Sequence, residues 1–317
     1  MINIFSTMAL RQSEHEVRAR APNDCVVVCA CEIADEDQTK KAFLNADIVF
    51  GNPPPAWLND ARRLKWLQLE SVGFDSYLRY AREPWSRQIT VTNLRGLFGP
   101  PVAETLLSGV LALYRRLPEL IDFQKQSAWK HEVVRSNLRT VNGCHAIILG
   151  AGSIGRHLRQ LLNGFGASTK LFARNAPQAE LHTLRDLDTA LPHADLIFGC
   201  LPDSSATRGL LNSQRFGLMK RGAILANGGR GSLVDENALI AALERGALAG
   251  AVLDVTAVEP LPPAHRLWHC PNVILTQHTG GGFMGESARK TDFFLSNLQR
   301  YRDGDPLLNV VDFISAK

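Results

Sequence analysis

An α/β fold with two parallel sheets is what this 317-residue sequence predicts, on three observations. Over the first hundred residues, short apolar runs alternate with helix-length polar stretches, the layer pattern of an α/β unit. A second series of six such runs begins at His145. Its first run, His145-Ala146-Ile147-Ile148-Leu149, feeds into Gly150-Ala151-Gly152-Ser153-Ile154-Gly155 and then into a stretch at helical spacing.

In chain order, the first series places strands at 2–5, 26–31, 47–50, 67–70 and 89–91. Gly99-Pro100-Pro101 breaks the pattern and starts a helix, because proline suits a first turn. Val102, Leu106, Val110, Leu113 and Leu117 then recur on one face, an apolar stripe either buried within the chain or paired with a second copy, the subunit interface being favoured. The second series places strands at 145–149, 169–173, 195–201, 222–226, 249–253 and 272–276. Asp235 reads as a helix N-cap, and Gly246 as the stop for the apolar run 238–243. An amphipathic helix over 286–303 closes the chain.

Hydrophobic residues make up 45% and charged residues 21%, ordinary values for a globular enzyme with ample core. The net charge of +4 is scattered in short pairs such as Arg62-Arg63 and Lys40-Lys41, which does not suggest a nucleic-acid surface. No apolar stretch reaches the roughly 18 residues of a membrane span, and Met1-Ile2-Asn3-Ile4-Phe5 reads as a strand with no basic leader, so a cytoplasmic setting is expected. Cysteines at 25, 29, 31, 144, 200 and 270 form no C-x-x-C pair. Cys25, Cys29 and Cys31 alternate along one strand, so reduced core thiols are expected and no metal site, with His265 and His269 lacking partners at ligand spacing.

The glycine run carries the first chemical signal. In G-x-G-x-x-G after a strand, the first glycine permits the tight turn, the second lets backbone N–H groups approach a pyrophosphate, and the third allows close helix–strand packing. Gly150, Gly152, Ser153, Ile154 and Gly155 are therefore candidate dinucleotide-binding residues, on a helix N-terminus that favours anions. Arg174 lies 174 − 155 = 19 residues beyond the last motif glycine, where an NAD site usually carries a carboxylate for the ribose 2′-OH. A guanidinium there can pair with a 2′-phosphate, so NADP(H) is preferred and NAD(H) possible.

Three further segments, Ala226-Asn227-Gly228-Gly229-Arg230-Gly231-Ser232-Leu233-Val234-Asp235-Glu236, Leu253-Asp254-Val255-Thr256-Ala257-Val258-Glu259-Pro260 and Val273-Ile274-Leu275-Thr276-Gln277-His278-Thr279-Gly280-Gly281, complete a pattern. Together, from about Leu67 to the C-terminus, the chain resembles the D-isomer-specific 2-hydroxyacid dehydrogenases, especially the glyoxylate/hydroxypyruvate reductases. That resemblance implies a doubly wound Rossmann domain over 98–283 and a smaller flavodoxin-like substrate domain over 1–97 completed by 284–317, with the site in the cleft. It also implies a catalytic arginine, glutamate and histidine, carried here by Arg230, Glu259 and His278.

The chemistry accounts for these types. A planar cation binds a 2-keto acid's carboxylate and polarises its carbonyl, the task expected of Arg230. The alkoxide formed at C2 needs a proton from a group titrating near neutrality, which suits His278. A carboxylate such as Glu259 beside the imidazole fixes its tautomer and favours its charged form. Taken singly, Arg230 also reads as a structural loop cation, Glu259 as a solvated residue and His278 as a core histidine; their joint position after successive strands favours function.

By the same resemblance, Val72 and Gly73 receive the substrate carboxylate with Arg230 and His278. Cys200, Leu201, Pro202, Thr207, Asn227, Gly228 and Asp254 line the cofactor site. Gln277 departs from the family, which usually has proline before its histidine. Leu97, Phe98 and Trp129 are further pocket residues, Trp129 from a neighbouring subunit of a homodimer. The activity implied is NADPH-dependent reduction of a small 2-keto acid, glyoxylate or hydroxypyruvate first; a dinucleotide-sensing interaction protein of the corepressor type is the alternative.

Overall fold

Short runs rich in Val, Ile and Phe pair as parallel strands in two separate sheets. The structure, a computed structural model, describes residues 1–8, 11–78 and 83–313. It divides into one unit of residues 1–97 and 283–317 and a second of residues 98–282.

In the first unit, β1 (Ile2–Thr7), β2 (Cys25–Cys29), β3 (Ile48–Gly51), β4 (Trp66–Gln68) and β5 (Thr90–Thr92) form a parallel sheet in the order β2-β1-β3-β4-β5, the flavodoxin-like arrangement. Both faces are covered. Phe5, Phe43, Val49, Leu67 and Trp85 pack on one side, and Ile4, Ile48, Phe50, Trp66 and Phe294 on the other. Phe294 belongs to the Glu286–Asp303 helix and stacks on Phe50 at 4.5 Å and on Trp66 at 5.3 Å. A buried polar chain reinforces this seam: Trp66 Nε1 donates to Thr92 Oγ1, Thr92 Oγ1 to Gln68 Oε1, and Asn297 Nδ2 to the same Gln68 oxygen.

β2 is an edge strand that ends at Cys29, two residues short of the sequence expectation, because the chain turns into a 3₁₀ segment over Ala30–Glu32. Cys29 points inward while Val26 and Val28 face out, and Cys31 lies beyond the strand. Donor atoms of His15, Cys29 and Glu32 lie within 4.8 Å of one another. They are engaged by the protein itself: Arg18 grips both Glu32 oxygens at 2.7 and 2.6 Å, and the Cys29 thiol donates to the Glu14 carbonyl.

In the second unit, β6 (His145–Leu149), β7 (Ser168–Phe172), β8 (Leu196–Gly199), β9 (Ala223–Asn227), β10 (Leu248–Leu253) and β11 (Val273–Leu275) form a parallel sheet in the order β11-β10-β9-β8-β6-β7. Strand order reverses between β6 and β8, and open α/β sheets bind ligands beyond the strand ends at such a point.

The Gly99–Tyr114 helix corrects one expectation. Val102, Leu106 and Val110 are at most 6% exposed, packed in one cluster with Leu158, Ala226 and Val252 of their own unit and not held for a subunit contact. Arg116 takes φ 53°, a left-handed conformation that breaks the helix, so Leu117 starts a new one (Leu117–Lys125) and leaves the stripe at 45% exposure. Among the described residues, no helix is long and apolar enough to cross a membrane. Leu106→Ala should therefore lower unfolding free energy by about 2–5 kcal/mol in urea denaturation, the cost of an emptied core site. A loss near zero would return the stripe to the surface.

Candidate active site

Each loop that follows a strand of the second sheet emerges on the same side, because the strands are parallel. After β6, Gly150 adopts φ 124°, which side-chain-bearing residues rarely reach, and the Ser153–Gly164 helix begins at Gly152. A Cβ at Gly155 would lie 2.0 Å from the Gly150 carbonyl oxygen, so only glycine lets the helix sit this close. A Cβ at Gly152 would meet nothing within 4 Å, leaving the helix N-terminus with its Ser153 and Ile154 open to an anionic ligand. Arg174 is exposed just past β7.

Past β8, Cys200, Leu201 and Pro202 run behind the glycine loop. Burial pushes the Cys200 thiol up to about 12, so it stays protonated. The Thr207 hydroxyl donates to the Pro202 carbonyl at 2.7 Å and accepts from Ser204 N at 2.9 Å, closing this turn. Asp203 accepts two bonds from Arg208 and one from Ser232 Oγ. The Arg208 guanidinium, with Ser232 and the nearby Arg230 charge, holds the Asp203 carboxyl down at about 2.

Arg230 follows β9 and heads a 3₁₀ turn, Gly231–Leu233. Its loop is shaped by Asn227, 1% exposed, whose Nδ2 donates to the Arg230 carbonyl at 2.9 Å and whose Oδ1 accepts from Gly229 N at 3.2 Å. Both ends of the Asn227 amide thus bond to the loop and hold its shape. Gly228 N donates to the Gly199 carbonyl, tying the same loop to β8.

Asp254 follows β10 and is 4% exposed. Its Oδ1 accepts from Thr276 Oγ1 at 2.7 Å and Gly280 N at 2.9 Å, while its carbonyl accepts from His278 N at 2.6 Å. These bonds hold the turn after β11, where Gln277 and His278 sit consecutively at φ 53° and 56°. Left-handed residues other than glycine cost about 1–3 kcal/mol each and persist only where their surroundings over-determine them. Proline, fixed near φ −65°, cannot occupy position 277 in this turn.

The turn delivers His278 to Glu259. Glu259 Oε2 accepts from His278 Nδ1 at 2.6 Å, and Glu259 Oε1 accepts from Thr256 N at 3.0 Å. With Nδ1 so engaged, Nε2 is the free ring nitrogen, on a side chain 55% exposed. His278, Glu259, Asp254, Gln277 and Thr256 line a cavity of about 420 Å³ with Leu261 and Trp268. Arg230 does not line it, but its loop abuts the same turn: a Cβ at Gly231 would lie 1.9 Å from the Thr256 carbonyl oxygen.

In the first unit, the Val72 carbonyl accepts from Asn93 Nδ2 at 2.9 Å and the Gly73 carbonyl from Ser71 Oγ at 2.6 Å. Among the described residues the Val72 and Gly73 N–H groups have no acceptor. Sequence reasoning gave no role to Asp203, Glu236, Thr256 or Thr276. Only the Asp235-Glu236 pair at a helix start left a signal, since the others act through turns that no spacing rule records.

The sequence profile described as "D-isomer specific 2-hydroxyacid dehydrogenase, NAD binding domain" matches residues 107–280. A glyoxylate/hydroxypyruvate reductase B of Escherichia fergusonii is 34% identical over 77% of this chain and 78% of its own. A solved D-isomer specific 2-hydroxyacid dehydrogenase family protein of Aeromonas salmonicida is 31% identical, covers 98% of this chain and 99% of its own, and superposes with TM-score 0.85. A D-isomer specific 2-hydroxyacid dehydrogenase of Xanthobacter autotrophicus, solved with NADPH and MES, is 26% identical over 100% of this chain and 99% of its own, with TM-score 0.82.

The Asp203 cluster gives a pH-dependent outcome. Because its folded value of about 2 lies below the ordinary carboxylate range, its contribution is complete above about pH 4 and fades as pH falls towards 2. Calorimetric melting of Asp203→Asn should therefore show a Tm deficit against wild type at pH 6 that shrinks between pH 4 and 2. A deficit independent of pH would remove the charged carboxylate as its cause.

Proposed function

Because the chain belongs to the D-isomer specific 2-hydroxyacid dehydrogenase family, we propose that it reduces a small 2-keto acid to its D-2-hydroxy acid with NADPH, glyoxylate and hydroxypyruvate being the leading substrates. The observation that carries this reading is the 2.6 Å bond between His278 Nδ1 and Glu259, which leaves Nε2 as the other nitrogen of a half-exposed ring. Support for the substrate class comes from the reductase name of the Escherichia fergusonii relative, and for NADPH from Arg174 and the NADPH-bound Xanthobacter relative. The dinucleotide-sensing alternative gains no support from these relatives.

The residues present fit a dinucleotide: Gly152 opens at the head of a 12-residue helix, and Gly150, Ser153, Ile154 and Gly155 surround it. Arg174 would pair with a 2′-phosphate, and Cys200, Leu201, Pro202, Thr207, Gly228 and Asp254 would form the wall beyond. Bound there, the reduced nicotinamide supplies hydride. The chain does the remainder. Arg230 binds the carboxylate and polarises the carbonyl. His278 holds at Nε2 the proton that the C2 oxygen takes, and Glu259 fixes the tautomer and balances the imidazolium charge.

The test is a panel of keto acids offered to purified protein with NADPH, followed by absorbance of the reduced cofactor. Turnover with a small 2-keto acid is expected, faster than with NADH, and falling about 10²–10⁴-fold in His278→Ala at unchanged cofactor affinity. No turnover with any acid would sink the reading, and equal or better NADH rates would sink the NADPH preference alone.

The assembly in this reading is a homodimer. Its support is a set of exposed apolar side chains outside any core, close together in sequence: Leu117 45%, Leu120 38%, Ile121 49%, Trp129 92% and Val133 59% exposed. The six free cysteines support a cytoplasmic setting. Sedimentation at micromolar concentration should give a dimer that Ile121→Glu with Val133→Glu converts to monomer; a wild-type monomer would reject the assembly.

A further inference from the structure

Glu236 takes no part in proton transfer or substrate binding, yet its side chain is only 13% exposed. It opens the Glu236–Glu244 helix, after the N-cap Asp235, whose carboxylate accepts from Ala238 N. Glu236 Oε1 accepts from Ala257 N at 2.7 Å, a bond spanning 21 positions of sequence. Its Oε2 lies 3.5 Å from His265 Nε2. His265 Nδ1 accepts from Leu267 N at 3.3 Å, so the proton of the neutral ring sits at Nε2, facing Glu236.

The neighbouring backbone N–H makes the connection to the site. Thr256 N donates to Glu259 while Ala257 N donates to Glu236, so two carboxylates take consecutive N–H groups of one turn. Thr256 Oγ1 donates to the Val258 carbonyl at 2.8 Å and stiffens the turn, and the Gly231 backbone bears on its outer side. Glu259 itself is 37% exposed, held by Thr256 N and His278 Nδ1. The anchor that does not belong to the acid–base pair is Glu236.

We propose that Glu236 is a positioning residue for the Glu259–His278 pair, acting through the 256–259 turn, with His265 holding its second oxygen. The charged groups facing this arrangement are His265 on Glu236, His278 on Glu259, and Asp254 beneath the His278 turn. Without an acceptor for Ala257 N the turn shifts, and Glu259 shifts with it. Misplacement of a reacting group by about 1 Å costs roughly 10²-fold in rate. The turnover part of this proposal rests on the reductase reading; the geometric part does not.

The experiment is proton NMR of the full-length protein, following the low-field resonance of the His278 Nδ1–H bonded to Glu259, assigned by its loss in His278→Ala. In Glu236→Ala that resonance should move upfield or broaden, with kcat down about 10- to 100-fold and KM for NADPH unchanged. Glu236→Gln keeps a carbonyl acceptor for Ala257 N and should rescue most of both. A folded Glu236→Ala with wild-type resonance and kcat overturns the proposal, as does a wild-type protein lacking the resonance. Should Glu236→Ala fail to fold, Glu236→Asp, one methylene too short to reach Ala257, is read in the same way; unfolding of both assigns Glu236 to stability and rejects positioning. If wild type reduces no keto acid, the reductase reading fails while the resonance still judges the tether.

Discussion

Parallel pairing is the constraint from which the arrangement of the second unit follows. Strands that all run one way end on one side, so β6, β7, β8, β9, β10 and β11 present the glycine turn, Arg174, the Cys200 segment, Arg230, Asp254 and His278 along one edge. Residues separated by more than a hundred positions become neighbours through backbone ladders alone. The packed layers on both faces of the sheet then fix that edge, since a one-residue slip would send every core side chain into the opposite layer.

On that edge the polar side chains divide by exposure. His278 and Glu259, at 55% and 37%, stand open to solvent. Asn227 and Asp254, at 1% and 4%, are buried and bonded to the loops that carry Arg230 and His278. The division has a physical basis. A group that holds a loop does so best in low dielectric, where its hydrogen bonds are stronger and water does not compete, whereas an exposed group keeps its hydration. The αL pair at Gln277 and His278 shows how much holding is available, because Asp254 supports that turn at three points.

The sequence made legible whatever depends on period and on backbone sterics. Alternation gave the strands, Gly150 to Gly155 gave the turn and helix start, and Asp235 gave a cap that the structure reproduces on Ala238 N. The Val102-Leu106-Val110 stripe was visible but not its partner, since periodicity records that a face is apolar and not what covers it. Cys31 was drawn into a strand by alternation that a 3₁₀ turn interrupts. The tasks of Asn227, Asp254 and Glu236 were hidden for a different reason: each bonds to main-chain N–H or C=O groups, and a backbone partner leaves no mark in residue identity.

Gln277 limits which residues this turn accepts. A proline ring holds φ near −65°, whereas this chain reaches its imidazole through a left-handed backbone that proline cannot enter. A proline entering at 277 would force the turn out of its left-handed conformation, and the bonds that Asp254 makes to Thr276, His278 and Gly280 would have to be remade with it.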